Sequence, residues 1–345
     1  MFLKKGIIYK LGIIVFTIIL ISGYMKASLF AAEGESKTKL IEEAKKEGEL
    51  LYYAAMNVDD ATVLLNKFNK KYPFIKTKLY RTNNARLLTK LLSEFRAKRY
   101  LPDAINISIQ MMTVLKESGI IGKYLSPERK SYMNGFKDPE GYWTSPYFLT
   151  YAFIYNTRLI PPEKLPKTYD DLLNPMWKGK LGYPTGNPAW FAKMLEVMGK
   201  DKGLEFMIKL AAQKLHYRPS MTLTLNMVTA GEYPAAVYAN AMRTQRAIEM
   251  GAPVDWIPLE PLVASVNSIA VASHAPHPNA AKLYVDFLLS TEGQIAIRSL
   301  GRIPARKGVE PIAARLTRGL KLYPITPLSS KEYGEISKLH REIFR

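Results

Sequence analysis

Short stretches of apolar residues alternate along the chain with longer stretches whose apolar residues recur every three or four positions. The short stretches predict strands at residues 50–54, 75–80, 104–107, 151–155, 180–183, 235–238, 254–258 and 268–272. The longer stretches predict helices at residues 40–46, 60–71, 111–117, 189–198, 204–213 and 280–289, with a further helix after Asn84 and a helical turn at 169–173. Strands that alternate with helices in this way indicate a parallel, doubly wound α/β sheet. The mixed pattern of residues 320–345 predicts no element.

The first 32 residues have the order of a secretory signal peptide. Three lysines within the first ten residues precede an apolar run at 11–21, and small residues follow up to Ala32. The apolar run is shorter than the roughly 20 residues that a membrane-spanning helix needs. We therefore expect a cleaved signal peptide at 1–32 and a periplasmic or secreted protein, with an uncleaved N-terminal anchor as the alternative.

The amino-acid composition narrows the chemistry. The chain has no cysteine, which excludes disulfides, thiolate metal sites, cysteine nucleophiles and a lipid-modified cysteine after the signal. The formal net charge of +19 favours anionic partners, among them nucleic acid, membrane surfaces and small anions. Export argues against nucleic acid, and since the positive charges are scattered we favour a solvated basic surface. About 310 residues follow the signal, a length that indicates two domains.

Motifs typical of enzymes and metal sites are weak or absent in the sequence. It contains neither a Walker-type phosphate loop nor a Gly-x-Ser-x-Gly motif. His274 and His277 lie among prolines in a loop, and a metal site would need further ligands. The acidic pairs at 59–60 and 170–171 start helices, where they favour the helix dipole over acid–base chemistry. We therefore expect no enzymatic activity, no cofactor and no bound metal.

Four stretches resemble segments of a known family of exported proteins. They are GELLYYAAMNVDDATVLLNKFNKKYPFIKTKLYR at 48–81, FIYNTRLIPPEKLPKTYDDLLNPMWKGKLGYP at 153–184, GEYPAAVY at 231–238 and HPNAAKLYVDFLLSTEGQ at 277–294. Each stretch is a weak signal by itself, but all four occur in the order that the family has. Together they resemble the bacterial periplasmic solute-binding proteins of the family that includes ferric-iron binders.

The resemblance implies the two-lobed fold of a type 2 periplasmic binding protein. Each lobe would be a doubly wound mixed sheet flanked by helices, and crossover strands near 145–151 and 261–267 would form the hinge. Lobe 1 would comprise residues 33–148 plus 266–312. Lobe 2 would comprise residues 149–265 plus 313–345.

The resemblance also implies a function and partners. The protein would be the solute-binding component of an ABC importer that captures a small polar or anionic solute by lobe closure. It would act as a monomer and pass the solute to a permease in the inner membrane. Ferric iron is the alternative cargo. A secreted enzyme on the same scaffold and a sensor subunit that contacts a membrane kinase are further alternatives.

Polar residues at the ends of the first three strands are candidates for ligand contacts, because ligands of doubly wound sheets bind there. Asn57 either contacts the ligand, where the resemblance implies a contact from the first lobe, or caps the next helix. Arg81, Thr82 and Asn83 follow the second strand, and Arg81 either pairs with an anionic ligand or is an exposed charge. Ser108 follows the third strand.

In the second half of the chain, PTGNPAW at 184–190 has the pattern of an anion-binding helix start. Gly186 permits a close approach of the backbone, Asn187 is a good N-cap, and a proline follows at the first helical position. Free N–H groups at such a start favour an anion. We expect Trp190 to form a wall of the pocket, with core packing as the alternative. Tyr151, near the crossover, either contacts the ligand or packs in the core, and we favour core packing.

Tyr238 and Asn240 end the strand where the resemblance implies that iron-binding relatives carry adjacent tyrosine ligands. This chain has the single tyrosine Tyr238 there, so the phenolate pair that would hold a ferric ion is incomplete. Arg243 and Arg246 lie three positions apart on the helix that follows and share a face. They either supply positive charge to the ligand cleft or coat the surface, and we favour the surface.

Overall fold

A computed structural model describes residues 36–344 of the chain. The predicted signal peptide, residues 1–32, lies outside this range. The strands are β1 (Glu49–Ala54), β2 (Lys76–Arg81), β3 (Ala104–Ser108), β4 (Ile121–Gly122), β5 (Thr144–Asn156), β6 (Leu181–Pro184), β7 (His216–Arg218), β8 (Ala235–Asn240), β9 (Val254–Ile257), β10 (Leu262–Ala272), β11 (Ile303–Pro304) and β12 (Leu322–Pro324). The helices are α1 (36–47), α2 (Val58–Lys71), α3 (Asn84–Arg96), α4 (Ile109–Glu117), α5 (Pro188–Met198), α6 (Lys200–Ala211), α7 (Met221–Ala230), α8 (Ala241–Glu249), α9 (Pro278–Leu289), α10 (Thr291–Ser299) and α11 (Ser330–Ile343). None of these helices is both long enough and apolar enough to cross a membrane.

The strands form one continuous mixed sheet. Its order is β2-β1-β3-β10-β5-β8-β6-β7, and β4, β9, β11 and β12 pair beside this path. β1 is parallel to β2 and β3, and β6 is parallel to β7 and β8, as expected for strands that are connected through helices. We call β2, β1 and β3 the first half of the sheet and β8, β6 and β7 the second half. The predicted α/β class with mixed sheets is confirmed.

β10 and β5 join the two halves. β10 is antiparallel to β3, and residues 144–150 of β5 pair with β10, whereas residues 151–156 pair with β8 and β9. The sequence predicts strands only at 151–155 and 268–272, with crossovers before each. The structure merges each crossover and its strand into one long strand. The predicted lobe boundaries stay a prediction.

Several elements are absent from the sequence prediction, namely β4, β7, α7, α10, β11, β12 and α11. In α7 the apolar and polar residues alternate from 221 to 227, which is the period of a strand. The segment is nevertheless a helix, and the Ser220 Oγ caps it by accepting a hydrogen bond of 3.2 Å from the backbone N of Leu223. α11 begins with a capping box of Ser329 and Glu332, a spacing that is readable in the sequence.

A cluster of aromatic side chains fills the core beside the second half of the sheet. We call Tyr183, Trp190, Tyr238, His340 and Phe344 the aromatic cluster. Trp190 stacks on Tyr238 and Phe344 stacks on Tyr183, each with ring centres 4.2 Å apart. Because these residues come from β6, α5, β8 and the C-terminal helix, the cluster holds α11 against the second half.

Candidate functional site

A crevice with a volume of about 410 Å³ is lined by residues from both halves of the molecule. One side consists of the start of α2 and the turn that follows α10, and the other consists of α7 and α8. The lining residues are Asn57, Asp60, Leu149, Thr222, Leu225, Asn226, Asn240, Met242, Arg243, Arg246, Ala247, Met250, Leu300 and Arg302. A second depression of about 370 Å³ shares four of them and continues the crevice.

Three helices begin at the crevice. Asn57 caps α2 and Asn240 caps α8, where their Oδ1 atoms accept hydrogen bonds from backbone N–H groups at 2.8 Å and 3.1 Å. Thr222 lies in the first turn of α7 and also lines the crevice. The free N–H groups and the dipole of a helix make its start positive. The local backbone therefore favours a negatively charged ligand.

Arginine side chains add charge of the same sign. Arg243 and Arg246 project from α8 into the crevice, and neither forms an ion pair with any residue between 36 and 344. Arg302 reaches the crevice from the turn after α10, with its guanidinium 4.4 Å from the centre of the Tyr147 ring. Its Nη2 lies 2.6 Å from Asp60 Oδ2, so one of the three arginines is neutralised within the protein. The crevice keeps a net positive charge.

The crevice unites three of the predicted site residues, Asn57, Asn240 and Arg243. Asn57 fulfils both alternatives, because its amide oxygen caps α2 and the residue also lines the crevice. Arg243 has features of both interpretations, since its side chain is exposed and also lines the crevice.

The other predicted site residues of the first half form hydrogen bonds within the protein. Arg81 Nε donates to the backbone oxygen of Met56 at 2.9 Å, and the backbone N of Thr82 donates to Ala54 at 3.3 Å. Asn83 Oδ1 caps α3 at 2.9 Å from the backbone N of Arg86. The backbone N of Ser108 donates to Asn84 Oδ1 at 3.0 Å. None of these four predicted residues is among the described residues that line the crevice.

The turn before α5 departs from the prediction. The glycine at 186 is required, because a Cβ there would lie 2.6 Å from the backbone oxygen of Pro219. Asn187 precedes α5 but its side chain makes no capping hydrogen bond, so the predicted N-cap is wrong in its chemistry. Its Nδ2 is buried and has no hydrogen-bond partner within residues 36–344. Tyr151 is buried, and this burial raises the pKa of its hydroxyl.

Trp190 and Tyr238 lie in the core and do not line the crevice. Both are 0% exposed, so the expectation that Trp190 forms a wall of the pocket is corrected. The hydroxyl of Tyr238 donates to the backbone oxygen of Pro184 at 2.8 Å. Burial raises the pKa of Tyr238 well above the ordinary value for tyrosine, which disfavours the phenolate that ferric iron would need.

Two charged residues of the crevice are not candidates on sequence grounds. Asp60 reads in the sequence as a charge at a helix start, and Arg302 lies 242 positions further along the chain. No local pattern connects such distant residues, and only the fold brings them together.

The described residues offer no metal site made of histidine and carboxylate side chains. No group of three or more His, Cys, Asp or Glu side chains between 36 and 344 could hold a metal ion. His277 Nδ1 lies 3.0 Å from Asp103 Oδ2, and His274 stacks on Tyr100 at 4.2 Å. Each of the two histidines of the proline-rich loop therefore has a contact within the fold.

A comparison with protein families decides the identity at the family level. Residues 101–318 match the family described as bacterial extracellular solute-binding protein. The chain belongs to this family. An uncharacterized protein of Haemophilus influenzae is 23% identical to this solute-binding protein over 272 residues, which cover 73% of this chain and 75% of the relative.

Solved structures agree with the family in fold. Iron-bound HitA from Pseudomonas aeruginosa has a TM-score of 0.71 at 21% identity and covers 86% of this chain and 99% of its own. The periplasmic binding protein AfuA from Actinobacillus pleuropneumoniae, with fructose-6-phosphate bound, has a TM-score of 0.66 at 21% identity and covers 86% and 96%. The ferric binding protein from Campylobacter jejuni has a TM-score of 0.70 at 19% identity and covers 86% and 98%. The predicted type 2 periplasmic binding protein fold is confirmed.

Proposed function

We propose that this solute-binding protein captures a small anionic solute in the crevice and delivers it to the permease of an ABC importer. The observation that carries the proposal is the charge of the crevice, where three arginines face one carboxylate beside three helix starts. Arg243 and Arg246 are exposed and lack charged partners of opposite sign between residues 36 and 344. An anion with more than one oxygen would supply them through charge-assisted hydrogen bonds.

Binding would act through closure of the two lobes. Asn57 and Arg302 approach the crevice from one side, and Arg243 and Arg246 approach from the other. A solute that touches both sides binds the closed form more tightly than the open form, and this difference in affinity drives closure. β5 and β10, which join the halves, would be the hinge.

The protein would act outside the cytoplasm, in the periplasm or as a secreted protein. The family is extracellular, and the first 32 residues have the pattern of a cleaved signal peptide. The proposed partners are a permease in the inner membrane and the small solute, with no nucleic acid. The proposed role is transport and not catalysis.

An anionic cargo fits the crevice better than ferric iron, although relatives with either kind of ligand share the fold. Arginines repel a trivalent cation, and Tyr238, the predicted remnant of an iron site, is committed to Pro184. A protein that stays colourless with ferric salt is the expected result, because an iron–phenolate site absorbs visible light.

The test begins with the solute that copurifies with the protein. Gentle isolation, denaturation and mass spectrometry should identify an anion, which is then titrated back by calorimetry. Arg243→Gln and Arg246→Gln should each weaken its binding at least tenfold, which corresponds to about 1.4 kcal/mol. Arg158→Gln changes the net charge equally at an exposed position outside the crevice and should bind normally. A neutral solute, or an anion whose affinity does not depend on Arg243 and Arg246, would contradict the proposal.

A further inference from the structure

Asp60 is the only acidic side chain among the described residues that line the 410 Å³ crevice, whereas Glu249 lines the adjoining depression. It lies in the first turn of α2, and its side chain is 16% exposed. A carboxylate is an unexpected neighbour for an anionic solute, because like charges repel strongly where water is partly excluded. Its position therefore needs an explanation beyond helix capping.

Asp60 forms an ion pair with Arg302. Its Oδ2 accepts a hydrogen bond of 2.6 Å from Nε of Arg302, and Nη2 of the same guanidinium lies 2.6 Å from this oxygen. A guanidinium has five N–H donors, so the pair takes up part of the donor set of Arg302 and compensates its charge. The Tyr147 ring lies against the same guanidinium at 4.4 Å and limits how it can turn.

We propose that Asp60 is a specificity-determining residue that competes with the solute for Arg302, an inference that rests on the proposed function. Arg243 and Arg246 are open to any anion, whereas Arg302 is available only to a solute that displaces Asp60 or tolerates it nearby. An anion with a single, weakly interacting charge gains too little binding free energy from Arg302 to displace Asp60. Solutes with a denser or doubled charge are thereby selected, since specificity is a difference between affinities.

A purely structural role for Asp60 predicts a different outcome. The ion pair with Arg302 and the acidic charge at the start of α2 both stabilise the fold. Loss of a structural group lowers stability and leaves ligand binding equal or weaker. Loss of a competitor lowers stability and tightens anion binding, so the two effects have opposite signs.

Asp59→Asn provides the matched control. Asp59 is the preceding residue of the same helical turn, is exposed, and does not line the crevice. Both variants change the net charge by the same amount and remove one acidic group from the start of α2. Only Asp60→Asn releases Arg302.

The experiment titrates inorganic phosphate into wild type, Asp60→Asn and Asp59→Asn by calorimetry at constant ionic strength, and records thermal unfolding of each. We expect Asp60→Asn to bind phosphate at least fivefold more tightly than wild type while it unfolds at a lower temperature. Asp59→Asn should bind like wild type. In an Arg302→Gln background, the further change Asp60→Asn should tighten binding much less than it does in wild type, because the contested group is gone and only the repulsion between carboxylate and phosphate is relieved.

Phosphate binding by Asp60→Asn that is no tighter than that of wild type overturns the inference, including the case in which neither binds. That failure is distinct from a failure of the proposed function. The proposed function depends on the copurified solute and on the Arg243 and Arg246 variants, none of which alters Asp60.

Discussion

Asn57 and Asn240 show how one side chain serves both the fold and the site. Each uses its amide oxygen to cap a helix, and each lies at the crevice. An amide also carries two N–H donors, which remain for a solute after the oxygen has been used. Tyr238 has no such double role, because its single hydroxyl donates to the backbone oxygen of Pro184 in the core.

Tyr238→Phe separates the core interpretation from the ligand interpretation. We expect the free energy of unfolding to fall by about 1 kcal/mol, because the buried oxygen of Pro184 loses its donor. Affinity for the copurified anion should not change, since Tyr238 does not line the crevice. Urea denaturation and calorimetry measure the two quantities. Weaker solute binding at unchanged stability would reassign Tyr238 to the site.

At the scale of elements, the C-terminal helix α11 is docked through a buried histidine. His340 is 1% exposed, with its Nε2 3.0 Å from the hydroxyl of Tyr183 and its ring against Phe191 at 5.4 Å. Burial, with a smaller contribution from Arg341, lowers the pKa of His340 from 6.5 to about 4. The helix therefore packs with an uncharged imidazole.

This packing makes stability depend on pH. Between pH 6.5 and 4 the unfolded chain binds a proton at His340 that the folded chain does not bind, so the stability from this residue falls as the pH falls. We expect the stability to fall by about 1–2 kcal/mol between pH 7 and pH 5. Urea midpoints at the two pH values measure it. His340→Gln should show a smaller drop than wild type, and an equal drop would contradict the docking described.

At the scale of the whole molecule, two long strands connect the halves that form the crevice. β5 is buried at all but one of its 13 residues. The register shifts once where β5 meets β10 and once where it meets β8. Such irregularities let a strand bend. A bend within β5 and β10 would move the arginines of α8 relative to Asn57 and Arg302.

The sequence predicts the fold class better than it predicts the residues of the site. Apolar runs and helical spacing suffice for most elements, because burial imposes them locally. They fail at α7, where apolar and polar residues alternate at the period of a strand, and at β5, where continuous burial hides the strand's full length. Asp60 and Arg302 could not be paired from sequence, since their contact exists only in the folded chain.

The most direct test of the central claim measures the distance between the lobes. The chain has no cysteine, so spin labels can be placed at Lys67→Cys on α2 and Lys202→Cys on α6, both exposed. Pulsed electron paramagnetic resonance should show a shorter distance after the copurified anion is added, whereas a control pair at Arg158→Cys and Lys202→Cys, both on the second half, should keep its distance. An interlobe distance that is the same with and without saturating anion would contradict the account.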